Sequence, residues 1–221
     1  MWKALILKEL RGVMPIACLA AIAYLACVAN MIGYPVFFGM MEIGTNTIPF
    51  LNDSFVNDIM CVGMVFAAAL GFWQTISENH RGTWLFLLHR PMSMRKIITA
   101  KLMVGTVVYL VVTSLAILLY AFWASKPGHH ASPFAWWMTA ETWGYAFLAL
   151  LIYYGAFLSG LRPARWFGTR VLPCIGFLVL YMAIPELFPR QLWLWGIAPT
   201  LLALAIFISV TFHVAETRDF S

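Results

Sequence analysis

The 221-residue chain is 62% hydrophobic and only 10% charged, with a formal net charge of +5 and a mean hydropathy of +0.84. Soluble domains carry about a quarter charged residues, so this balance excludes a soluble enzyme or binding domain and assigns the chain to a bilayer. The basic residues come in short clusters between apolar runs, without a sustained basic face or interleaved stacking aromatics, which excludes nucleic acid as a partner.

No polar stretch exceeds about 25 residues, too little for a soluble domain, so residues 1–221 are expected to form one all-α membrane domain. In "MWKALILKELRG" the apolar Trp2, Leu5, Ile6, Leu10 and Val13 recur at helical spacing, with Lys3, Lys8 and Arg11 on the polar side. That pattern predicts an amphipathic helix lying in the membrane interface before the first span; the same residues also serve as a plain positive flank that sets topology. Residues 13–33 are longer than the core of a signal peptide and are expected to be a retained span. The first outer loop has Glu42, Asp53 and Asp58 and no basic residue.

Spans of about 20 apolar residues follow at 56–76, 97–123, 140–160, 171–188 and 191–213. This makes six in all, the last two joined by the short "PELFPRQ". In the second, Gly63, Ala67 and Gly71 recur every four residues. Such a stripe lets backbones approach closely, either within one chain or between two subunits. Trp136, Trp137 and Trp143 before the fourth span, and Trp193 and Trp195 opening the sixth, stand where interfacial anchors are expected. Cys18, Cys27, Cys61 and Cys174 fall inside apolar runs without metal-ligand or redox spacing and read as small hydrophobes.

Twelve of the fourteen Lys and Arg residues lie at the N-terminus, in the second and fourth loops and in the tail; only Lys126 and Arg190 lie opposite. Short cytoplasmic loops carry such an excess. Both termini are therefore expected in the cytoplasm, and a prokaryotic inner membrane is the expected location.

The chemistry that is missing narrows the function. No phosphate-binding loop motif occurs, so the chain has no ATP site of its own. No span carries a charge near its middle, which removes the usual parts of an ion-coupled transporter. His80, His89, His129, His130 and His213 are not paired at one depth for a metal or haem. Ser159 and His213 share a depth near the cytoplasmic boundary, but no nucleophile turn surrounds Ser159.

The most polar segment, "SENHRGTWLFLLHRPMSMRKIITAK", gathers Arg81, Arg90, Arg95, Lys96 and Lys101 around an apolar knot, Trp84 to Leu88. Thr83 suits the N-cap of a two-turn helix that Pro91 ends. Too short to span and too apolar to face water, it requires a cover, either lipid headgroups or a groove on a cytosolic partner. A second helix start is expected at Ser93, with Lys101 snorkelling back to the surface from the third span.

This segment resembles the cytoplasmic loop of permease subunits of the ABC type-2 exporter family in Glu78, Arg81, Gly82, Thr83, Leu87, Leu88, Pro91, Ser93 and Lys101, taken in order. "LKELR", Leu7 to Arg11, resembles the family's entry helix. His89 and Arg90 before the proline and Met94 after the serine depart from the family pattern. The resemblance implies a coupling helix at 82–91, with Glu78, Arg81, Gly82, Thr83, Trp84, Leu87, Leu88 and Pro91 as ATPase-coupling residues. It also implies two copies of a cytosolic ABC ATPase as partners, holding ATP and Mg, and a second permease subunit, identical or different. No cofactor is expected on this chain, and no enzymatic activity. Spans without central charge suit an apolar or amphipathic cargo. A non-transporting scaffold or regulatory subunit is the alternative.

Overall fold

The computed structural model describes residues 2–34, 48–51, 54–80, 93–126, 128, 134–162, 167–187 and 193–217, and within these the regular structure is helical throughout. Among the described residues six helices follow one another: α1 (Trp2–Ile32), α2 (Phe55–His80), α3 (Met94–Ala124), α4 (Ala140–Leu161), α5 (Phe167–Leu187) and α6 (Trp193–Thr217). A 3-10 turn, Trp136–Thr139, leads into α4. Five of the helices are long and apolar enough to cross a membrane. The exception is α5, whose apolar stretch, Val171–Pro185, is shorter and which carries Pro173 and Pro185 inside the helix.

The N-terminal segment departs from expectation: it is the first turns of α1, which runs unbroken through Gly12 and Pro15, and not a separate interfacial helix. The reason is a continuous buried row on one face, Leu5, Glu9, Val13, Ala17, Ala20, Tyr24, Cys27 and Val28, spaced three and four apart as helix packing requires. At about 1.5 Å per residue α1 is about 46 Å long, so it outreaches a hydrocarbon core of about 30 Å. Its outer face, including Leu19, Ile22 and Leu25, is exposed and suits lipid.

Cross-contacts fix the helix directions. Lys8 meets Glu78, Trp73 meets Gly12 and Tyr24 packs on Phe66, so α1 and α2 are antiparallel. Glu9 with Lys101 and Tyr24 with Thr113 make α1 and α3 parallel. Lys3, Lys8, Arg11, Arg95, Lys96 and Lys101 consequently gather at one end of the bundle. At the opposite end Phe50, Phe55 and Tyr120 form a buried aromatic knot.

The hub is α4, buried almost continuously from Ala149 to Leu161 and packed chiefly on α2 and α5. Close approach needs the small-residue stripe of α2. A Cβ at Gly71 would strike the Tyr153 carbonyl and the Phe157 amide of α4. Ala67 is fully buried. A Cβ at Gly63 would stand 3.2 Å from the Tyr109 hydroxyl and 3.4 Å from that of Tyr24. All three face other helices of the same chain. At the α4–α5 contact the Ser159 hydroxyl is buried and accepts the Cys174 amide N–H at 3.0 Å, so it serves packing. The four cysteines are free; Cys27 is buried, whereas Cys18 and Cys61 are exposed.

Candidate functional site

The inner face of α2 changes character along its length. Gly63, Ala67 and Gly71 are followed at the same helical spacing by Gln74, Thr75 and Glu78, all buried. An amide and a carboxylate on an inward face require partners from other helices, and they find them.

Lys101, about two turns into α3, sends its ammonium inward. Its Nζ lies 2.7 Å from Glu9 Oε2 of α1 and 3.1 Å from Glu78 Oε1. Lys8 Nζ reaches the same Glu78 Oε1 at 2.7 Å and stands 3.7 Å from Glu9 Oε1. The side chains of Lys101, Glu9 and Glu78 are 1%, 5% and 9% exposed, whereas that of Lys8 is 46% exposed. Among the described residues, two carboxylates and two ammoniums thus join the ends of three helices with no net charge. Removing one of the cluster's three buried members costs about 3–5 kcal/mol, because a buried charge is left uncompensated.

The expected snorkelling of Lys101 is therefore corrected. Snorkelling is the choice of a lysine with only lipid around it. Here two acids on neighbouring helices meet the ammonium inside the bundle, and Lys101 is fully buried.

The cluster continues inward as neutral hydrogen bonds. Gln74 Nε2 donates to the Lys101 carbonyl at 3.1 Å, and the Tyr153 hydroxyl donates to Gln74 Oε1 at 2.8 Å. Gly105 leaves the room that the Tyr153 phenol fills. A fourth helix, α4, is thereby joined to the charged end. On the outside, Trp73 Nε1–H donates to the Gly12 carbonyl at 3.0 Å, tying α2 to α1 one turn deeper than Lys8.

Chemically this is a structural joint. Both carboxylates already face ammoniums, and no group of His, Cys, Asp and Glu that could hold a metal exists among the described residues. His213 is exposed, while Ser159 bonds to the α5 backbone; no nucleophile and base meet there.

Of the residues singled out in the basic loop, Glu78 is described and faces inward, onto Lys8 and Lys101. Ser93 takes the extended conformation of an N-cap and α3 starts behind it, without a side-chain cap bond. Arg81, Gly82, Thr83, Trp84, Leu87, Leu88 and Pro91 lie outside the described residues. Sequence reasoning missed Lys8, Glu9, Gln74 and Tyr153 as partners. One signal was available: Glu9 and Lys101 are opposite charges set at the edges of apolar stretches, each a position where an unpaired charge is costly. No family model, curated protein or solved structure matches the chain, so what it does has to be read from its own side chains and their arrangement.

Proposed function

We propose that this chain is the membrane-spanning permease subunit of an ATP-driven exporter of the ABC type-2 class. Its six helices, α5 included, cross the membrane, both termini are cytoplasmic, and residues 82–91 form the coupling helix. The observation that supports this best is the position of Glu78. It stands at the root of the 81–92 connection and is bonded to Lys8 of α1 and Lys101 of α3. A push delivered to the connection therefore acts on three helices together, and through Gln74 and Tyr153 on a fourth. A transmitting element needs such a stiff root; a helix merely resting on headgroups does not.

The remaining parts follow from the resemblance. Two copies of a cytosolic ABC ATPase supply ATP and Mg, a second permease subunit completes the pathway, and spans without a charge near their middles suit an apolar or amphipathic cargo. The test is co-purification with the ATPase from the native membrane. Leu87→Asp together with Leu88→Asp should abolish it while membrane insertion persists. An intact complex with this double variant overturns the coupling role. A complex whose ATPase rate is the same with and without this chain identifies a scaffold instead.

A further inference from the structure

The charged joint has an unusual partition. Lys8 and Glu9 are neighbours on α1, while Glu78 and Lys101 belong to α2 and α3. Each of these two pairs is neutral by itself. Lys8 Nζ already stands 3.7 Å from Glu9 Oε1, and that oxygen is buried and accepts no hydrogen bond among the described residues. Glu78 and Lys101 are already bonded at 3.1 Å. If the first turns of α1 moved away, Lys8 would close onto the open oxygen of Glu9, and Lys101 would stay on Glu78. Neither surface would keep an unpaired charge, so the usual penalty for breaking a buried ion cluster is largely avoided.

α1 is also built to bend at the right place. Pro15 has no N–H, so the Arg11 carbonyl lacks its helix partner. Gly12 weakens the same turn, and packing does not require it, since a Cβ there would meet nothing within 4 Å. The Trp73 indole holds the Gly12 carbonyl, which pins the body of α1 at the bend. Beyond it, residues 2–11 bury only Leu5 and Glu9, so little is exposed when they leave.

We infer that residues 2–11 are a hinged arm, latched to α2 and α3 by an exchange between one shared four-charge cluster and two separate neutral pairs, with Lys8 as the cation that changes seats. The half-exposed Lys8 is the member able to move, because its ammonium is already wetted, whereas Lys101 is sealed in. The arm is a property of this chain alone and stands whether or not an ATPase binds it.

The experiment is electron paramagnetic resonance on the full chain in lipid nanodiscs, with the native cysteines replaced by alanine and spin labels at Leu7→Cys and Ile76→Cys, both exposed sites. The unmodified latch should give one dominant short distance. Lys8→Gln should raise a longer-distance population about fivefold, the change that an interaction of about 1 kcal/mol gives. Lys8→Arg should keep the arm closed. Gly12→Ala with Pro15→Ala, added to Lys8→Gln, should suppress the longer population by stiffening the bend. Should Lys8→Gln lower the yield of folded protein, Lys8→Gln with Glu9→Gln removes both arm charges and should open it equally. An unchanged distance distribution in both variants, or a longer population that the stiffened helix does not reduce, overturns the proposal.

Discussion

The two ends of the α1–α2–α3 unit are held by opposite physics. At one end Phe50, Phe55 and Tyr120 are buried within ring-to-ring distances of 4.2–5.3 Å, with Phe134 and Trp123 against them. At the other, four charges join α2 and α3 and bring in α1 as well. Dispersion between rings is non-directional and is lost in proportion to the area separated, so the aromatic end has one good arrangement. Ion pairs are discrete and exchangeable, so the charged end has two arrangements with equal charge balance. The comparison teaches which end is the fixed one. Phe50 underlines it, being buried with φ at 63°, a backbone state that costs a large side chain energy and that only dense packing sustains.

The largest effect should come from Lys101→Met. It leaves Glu9 and Glu78 with one half-exposed lysine between them, and thermal unfolding in detergent should show a loss of about 3–5 kcal/mol. Adding Glu9→Gln should recover a substantial part, because the surplus negative charge is then removed. If Lys101→Met alone is neutral, the cluster is not a buried ionic joint. Next comes Phe55→Ala at the aromatic end, with a loss of about 3 kcal/mol and, unlike Lys101→Met, no recovery from any single charge change.

Lys8→Met should cost only about 1 kcal/mol, since its ammonium is half exposed and screened by solvent. Its low global cost beside a large change in arm position is what separates a latch from a weld. The smallest effect belongs to Tyr24→Phe, which deletes the 3.1 Å hydroxyl contact with Thr113. Interhelical hydrogen bonds in membranes are worth about 0.6 kcal/mol, and a double-mutant cycle with Thr113→Val should return that coupling.

Much of the scaffold was legible in the residues. Apolar runs marked α2, α3, α4 and α6 to within a few positions, because hydropathy and helix length are properties of one segment. The Gly63–Ala67–Gly71 stripe was also visible, although nothing in its spacing indicated which backbone it admits; that is Tyr153 to Phe157 of α4. The joint was not legible. Glu9 and Lys101 are 92 positions apart and Lys8 and Glu78 are 70 apart, so each read as a flank charge when judged against its own helix. Expecting Lys101 to bend toward water followed from the same single-helix view. The extent of α1 was underestimated for a related reason. Its first turns look interfacial by composition, yet Leu5 is buried and Glu9 is bonded to Lys101 of α3, which continues the buried face.

The near-complete enclosure of α4 bears on how the chain is made. A helix that turns almost no surface toward lipid beyond Ala149 gains little by leaving the translocation channel on its own, and the hydroxyl of Ser159 has its α5 partner only after Cys174 has been synthesised. Biogenesis should therefore stall after the fourth helix until the fifth emerges, with the two entering the lipid as a couple. Nascent chains arrested some 30 residues beyond the end of α4 should still crosslink through α4 to the insertion machinery, and chains arrested the same distance beyond the end of α5 should have been released.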